Sequence, residues 1–253
     1  MMNYTFYENE KMIKIADVKK NEYEIAYYDL LKDIRENPHR YLVRPALKYL
    51  MCFLDGYFNC SYLDAYFKEK PHGMCYPGIA FVWFLEKKYI PVCRISCNYY
   101  KMIDFYSTSE EEAFYEFFEL FDEYLLYGED VDWKTPSSQD NPQDDPQSQE
   151  IRNLDIDGML YKTLQNVRHG VWLPAKSQRY LKHFVDGYMY CADALGLPIL
   201  SYPKFETYVR EKLDKTSPKS IYDIIELYHG FTEEQAFDSY FKLLSEFNTL
   251  PHN

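Results

Sequence analysis

The chain has 253 residues, 47% of them hydrophobic, with 27 tyrosines and 17 phenylalanines. That composition supplies a core for one large domain or two small ones, and a charged fraction of 27% excludes wholesale disorder. A formal net charge of −12 argues against binding nucleic acid through its phosphates, and no apolar run approaches the ~18–20 residues of a membrane span.

Residues 1–21 show no apolar segment with a small-residue cleavage site, so no signal peptide is expected. Six cysteines in a chain of this length do not make a disulfide scaffold, and a reducing cytoplasm fits them. Residues 22–36 place Tyr28, Leu31 and Arg35 on one face at helical spacing. A second helix is expected over about 44–66, with Pro45 in its first turn. There Tyr49, Leu50, Phe53, Gly56, Tyr57 and Cys60 share one third of the circumference. Leu47, Met51, Leu54 and Phe58 fill the other sides, and a helix apolar nearly all round belongs inside a bundle.

Pro77 is expected to open a third helix to about Lys88, and Tyr89–Cys97 is the one stretch that reads as a strand. The last helix of this half starts at a capping box, Ser109-x-x-Glu112. Beyond it Ala113, Phe114, Phe117, Leu120, Phe121, Tyr124 and Leu125 form an apolar arc. Opposite them Glu112, Glu116, Glu119 and Glu123 fall within about 60° of one another.

The charge imbalance has one location. Residues 107–150 carry 14 acids and a single base, Lys134, while the flanking stretches are near neutral. From Gly128 the sequence turns to Pro, Gln, Ser and Asp with few aliphatics, a composition that cannot repay ordering, so 128–153 reads as an acidic linker.

The two flanks match each other. Tyr49-Leu50-x-x-Phe53-x-Asp55-Gly56-Tyr57-x-x-Cys60 returns as Tyr180-Leu181-x-x-Phe184-x-Asp186-Gly187-Tyr188-x-x-Cys191. Tyr28-x-x-Leu31-x-x-Ile34-Arg35 matches Tyr161-x-x-Leu164-x-x-Val167-Arg168, and Tyr76-Pro77 matches Tyr202-Pro203. Ser109-Glu110-Glu111-Glu112-Ala113-Phe114 matches Thr232-Glu233-Glu234-Gln235-Ala236-Phe237. Four blocks in one order point to internal duplication. The expected fold is all-α: two tandem homologous helical-bundle domains, 22–127 and 154–253, joined by the linker 128–153 and preceded by an extension, 1–21.

Catalytic and metal signatures are missing. His39, His72, His169, His183, His229 and His252 form no zinc-spaced pair, and Cys93-x-x-x-Cys97 lacks a second pair. With nine glycines there is no phosphate-cradling loop and no nucleophile elbow. No catalytic residue, metal or cofactor is expected. Cys60 and Cys191 lie on the apolar stripe and read as packing.

Two candidate sites remain. Asp55 and Asp186 each precede a glycine inside the central helix, and Arg35 and Arg168 recur with them. Burial of a lone carboxylate is costly, so Asp55–Arg35 and Asp186–Arg168 ties are the first reading. A ligand pocket lined by Asp55 with Tyr57, or Asp186 with Tyr188, is the second. The acidic face is the other candidate: Glu112, Glu116, Glu119 and Glu123, extended by Glu129 and Asp130, as a docking surface for a basic partner. The equivalent positions of the second copy, Gln235, Ser239, Lys242 and Glu246, are mixed in charge.

The string Ile34-Arg35-Glu36-Asn37-Pro38-His39-Arg40-Tyr41-Leu42, then Ala46-Leu47 and Phe53-Leu54-Asp55-Gly56-Tyr57, resembles small uncharacterised bacterial proteins found beside polymorphic or contact-dependent toxin genes. The closing Glu111-Glu112-Ala113-Phe114-x-x-Phe117-Phe118-Glu119-Leu120 belongs to the same resemblance. It implies an immunity role. Those proteins typically hold one copy and a Pro-x-Met-Tyr-Leu-Gly turn; here Pro38–Leu42 lacks the Met and the Gly, and the second copy loses the turn. The expected function is an intracellular, non-enzymatic binding protein that neutralises a basic toxin domain, a nuclease being one candidate. A regulatory or ligand-binding helical module is the alternative.

Overall fold

A computed structural model of the chain describes residues 22–67, 81, 84–85, 88–89, 99–127, 156–168 and 173–250. Among these residues the fold is helical, with nine α-helices, one 3-10 turn and no strand. The expected extension 1–21, the expected linker 128–153 and most of the Tyr89–Cys97 stretch lie outside the described residues; Tyr89 itself is helical.

The chain divides into two compact units, Met1–Leu47 with Cys75–Thr135, and Lys48–Met74 with Pro136–Asn253. The first contains α1 (Glu22–Glu36), a 3-10 turn (Pro38–Arg40), the helical residues around Phe81–Tyr89, α3 (Tyr99–Tyr106) and α4 (Glu110–Tyr127). The second contains nearly all of α2 (Leu47–Phe67), then α5 (Ile156–Arg168), α6 (Gln178–Ala194), α7 (Ser201–Leu213), α8 (Ile221–His229) and α9 (Glu233–Asn248). This division cuts through the expected range 22–127, because α2 packs with the second unit.

The reason is the crossing of α2 with α6. A Cβ on Gly56 would stand 1.9 Å from the Phe184 carbonyl oxygen, and one on Gly187 would stand 1.9 Å from that of Phe53. Backbone meets backbone on both sides, which only glycine permits. Around the crossing Tyr49 lies with ring centroids 4.5 Å from His183 and 5.7 Å from Tyr180. Tyr49, Leu50, Phe53, Gly56, Tyr57 and Cys60 are all buried, as are Leu47, Met51 and Leu54, so the expectation of an interior helix is met. The helix starts at Leu47, two residues after Pro45, which therefore precedes its first turn.

In the first unit α1 buries Tyr27, Leu30, Leu31 and Ile34, leaving Tyr28 and Arg35 half-buried at the edge of that stripe. Tyr27 and Tyr28 meet Phe121 of α4 at 6.3 and 5.8 Å. The chain then turns at Pro38–Arg40. Asn37 Nδ2 and Arg40 Nη1 donate to the Asp33 carboxylate at 2.8 and 3.0 Å, the Tyr41 hydroxyl donates to it as well, and Tyr41 and Leu42 are buried.

Each unit then builds the same small cluster. Phe81 packs edge-on against Phe117 at 5.6 Å and beside Tyr124 at 5.6 Å, and Phe84 meets Tyr124 at 5.8 Å. In the second unit Phe205 packs edge-on against Tyr240 at 5.3 Å and beside Phe247 at 5.7 Å, and Tyr208 meets Phe247 at 5.6 Å. Lys88 pairs with Glu123, and Lys212 with Glu246. This register aligns Phe81 with Phe205 and Lys88 with Lys212, two residues away from the one implied by pairing Tyr76-Pro77 with Tyr202-Pro203. Residues 76 and 77 lie outside the described residues; Pro203 stands third in α7, inside its first turn.

Local signals place the helix ends. Ser109 Oγ accepts from the Glu112 amide at 3.0 Å, and Thr232 Oγ1 from that of Gln235 at 3.2 Å, the hydroxyl half of the expected box, while the Glu112 carboxylate bonds Thr108. A full reciprocal box stands at Ser220 and Asp223, opening α8. Gly196, with φ of 67°, ends α6: its amide donates to Asp193 and that of Leu197 to Ala192, the paired bonds of a Schellman close.

Candidate functional site

The buried face of α4 is the expected arc. Ala113, Phe114, Phe117, Leu120 and Phe121 are buried and Tyr124 and Leu125 half-buried, with Phe118 joining them. The acids on the remaining surface do not act alike. Glu112 Oε2 accepts from the Thr108 amide at 2.6 Å and from the Thr108 hydroxyl, so this carboxylate is part of the helix start and its pKa is held below the usual range by those bonds. Glu116 accepts from the Tyr89 hydroxyl at 3.2 Å. Burial and the neighbouring Glu116 together push the Tyr89 hydroxyl up to about 12.

Glu123 is taken by Lys88, and Asp122 accepts from Arg35 Nη1 at 2.6 Å. Glu111 and Glu119 are exposed and have no hydrogen bond or ion pair among the described residues. Glu129 and Asp130 lie outside the described residues. The open charge of the acidic face is therefore concentrated at Glu111 and Glu119.

The Arg35 guanidinium engages Asp122 and lies 5.8 Å from the Phe118 ring centroid, because α1 packs along α4 within the first unit. Asp55 is half-buried, and its backbone carbonyl accepts from Asn59 Nδ2 at 2.7 Å. Asp186 is half-buried and pairs with Lys182, one turn earlier on α6, where the sequence suggested Arg168. The Arg168 side chain lies outside the described residues. Tyr57 and Tyr188 are buried at 6% and 1% exposure on the α2 and α6 stripes, and burial pushes the Tyr57 hydroxyl up. Cys52, Cys60 and Cys191 are buried and stand outside any disulfide.

A polar group inside the second unit has no simple mark in the sequence. Tyr202 of α7 and Tyr222 of α8 share a hydrogen bond of 2.6 Å, and the Tyr240 ring stacks on Tyr222 at 5.7 Å. The Tyr240 hydroxyl is buried with no hydrogen-bond partner among the described residues. Burial pushes all three hydroxyls up, and burial, opposed by Arg210 and aided by Asp186, raises the carboxyl of nearby Glu206. Asp186 is likewise raised by burial against the pull of Lys182. The three tyrosines come from separate helices at spacings no motif describes; the only sequence signal is an unusual number of tyrosines.

Among the described residues no group of three or more His, Cys, Asp or Glu side chains is placed to hold a metal ion, and no helix is long and apolar enough to cross a membrane. Comparison of the chain with family models, with curated proteins and with solved structures finds no match.

Proposed function

We propose that the chain is a non-enzymatic binding protein of immunity type, which neutralises a basic toxin domain by covering it with the surface of α4. The observation that carries this is a charge difference at one place. Glu119 of α4 and Lys242 of α9 occupy equivalent positions of the two last helices, both exposed, and carry opposite charges on otherwise similar scaffolds. Packing does not require an acid there, since α9 packs with a lysine. Exposed acids at Glu111 and Glu119 of one helix steer a cationic partner and speed its encounter.

The same reading takes the two helical sets as tandem homologous copies joined by an acidic linker. The repeated phenylalanine clusters, lysine pairs and helix caps support this, as does the reciprocity of Gly56 with Phe184 and Gly187 with Phe53. Three buried cysteines outside any disulfide agree with action in the cytoplasm, where thiols stay reduced.

Co-expression with the product of the adjacent gene tests the proposal. A stable complex is expected whose association slows as salt rises, and Glu111→Lys with Glu119→Lys should slow it further without changing the melting temperature. A complex indifferent to both salt and charge reversal would remove α4 as the docking surface. The alternative, a ligand-binding module built on Asp186 and Tyr188, draws on the raised carboxyls of Asp186 and Glu206 beside the tyrosine group.

A further inference from the structure

Both units leave large apolar side chains in water at the same point of their fold. Phe105 and Tyr106 end α3 at 80% and 56% exposure, and Leu227 and Tyr228 sit in the last turn of α8 at 77% and 51%. Each pair follows two buried residues, Met102 and Ile103 or Ile224 and Ile225, and stands just before the cap of the last helix. A solvated helix end needs no aromatic residue, and Phe231 at 99% exposure extends the apolar surface of the second unit. Contiguous exposed apolar groups rimmed by polar ones mark interaction surfaces.

The two knuckles differ in what surrounds them. In the second unit Arg179 reaches Glu226 and Glu233, and Lys176 reaches Glu234, so these three acids are answered in place. In the first unit Glu111 is exposed with no partner among the described residues. The aromatic groups are also held ready: Tyr106 stacks on Tyr89 at 4.7 Å and 15°, Phe105 stands edge-on to Tyr106 at 5.1 Å, and Tyr89 is bonded to Glu116. The platform is thus continuous with the acidic face of α4. Rigid aromatic anchors with a charged rim form the centre of strong interfaces, since little ordering is left to do on binding.

We propose that Phe105 and Tyr106, joined through Tyr89 and Glu116 to the acidic face of α4, form the anchor point for a protein segment that presents an apolar side chain between lysines or arginines. This rests on the reading of a basic partner and names the feature of that partner which is gripped. The knuckle at Leu227 and Tyr228, where Glu226 is paired with Arg179 and Asp214 accepts from the Tyr228 hydroxyl at 3.4 Å, serves as the comparison.

The test uses the full chain and a labelled amphipathic helical peptide of Leu and Lys, followed by fluorescence anisotropy. Two companions are measured with it, one with every Leu changed to Ser and one with every Lys changed to Glu. The Leu/Lys peptide should bind about tenfold more tightly than either companion. The double variant Phe105→Ser, Tyr106→Ser should lose that advantage, while Leu227→Ser, Tyr228→Ser keeps it. Phe105→Ser alone, at a side chain that is four-fifths exposed, should lose most of it with the melting curve unchanged. Equal binding of the Leu/Lys and Ser/Lys peptides, weakened by salt, would overturn the anchor and leave the acidic surface standing. Absence of binding by either basic peptide would overturn both.

Discussion

The helices α4 and α9 close the two units, and most of their buried positions agree, Ala113 with Ala236, Phe114 with Phe237, Phe118 with Phe241 and Leu120 with Leu243. Both start on a hydroxyl cap, both turn an Ala-Phe pair inward after it, and both receive a phenylalanine and a lysine from a preceding helix. They part company on the outside, where Glu119 faces water in one and Lys242 in the other. The lesson concerns constraint. A buried ring is fixed by its neighbours, since a change of even one methylene is felt in a close-packed interior. An exposed charge is held by nothing inside the unit, so its sign is free to follow a partner.

The sharpest way to break this likeness is at its shared ring. Phe81→Ala and Phe205→Ala each empty a position surrounded by aromatic rings, and each should cost about 4 kcal/mol in chemical denaturation. Equal losses support equivalent roles in the two units. A loss under about 1 kcal/mol in one of them would show that its cluster does not bear on stability and that the likeness is superficial.

The glycine crossing comes next. Gly56→Ala and Gly187→Ala each drive a methyl group into a main-chain carbonyl, and neither helix can yield without losing its neighbours' packing. Each should cost about 2–3 kcal/mol, the upper range for overpacking. Because both act on one crossing, the double variant should cost less than the two losses added together. Simple additivity in a denaturation series would mean that the two contacts are independent.

Smaller still are the caps. Ser109→Ala and Thr232→Ala each remove the acceptor for one helix-start amide and should cost about 1 kcal/mol. Ser109→Ala should be the milder, because Glu112 also binds the Thr108 amide and holds the turn by a second route. A thermal melt of each variant distinguishes the two.

How much of this was legible beforehand follows from the range of each signal. Periodicity along about 44–66 gives the interior helix, observed at Leu47–Phe67, and the spacing from Ser109 to Glu112 and from Thr232 to Gln235 gives the hydroxyl caps, since both are local. Partner choice across helices is not local. Arg35 lies near the right stripe in sequence, but whether it meets Asp55 or Asp122 depends on which helix α1 lies along. The acids of α4 looked like one stripe because helical angle cannot tell Glu112, turned back to its own cap, from Glu119, left in water. The paired glycines marked a close approach, but reading them could not reveal that α2 would leave the range 22–127 and pack with α6. The tyrosine group needed three helices in place before it existed.

Acid titration should separate the two units by the sign of their response. In the first, Asp33 and Glu112 have pKa values lowered by hydrogen bonds, chiefly from Tyr41 and from Thr108. A lowered carboxyl binds its proton less tightly in the folded state, so the stability it contributes is present above the ordinary carboxylate range and is lost as pH falls through the depressed value. The second unit has such groups too, in Asp214 and Glu246, but also Asp186 and Glu206, which burial raises. Those bind a proton more tightly when folded, so their contribution is full below the ordinary range and is lost as pH rises through the raised value. Lowering pH from above the raised values toward the ordinary carboxylate range should therefore stabilise α6 and α7 while leaving α1 and α4 unchanged. Amide exchange, corrected for its intrinsic pH dependence, reports the helices separately. The gain should vanish in Asp186→Asn combined with Glu206→Gln. If it persists there, the protons bind elsewhere in the second unit; if α1 and α4 gain equally, the two units do not differ in this respect.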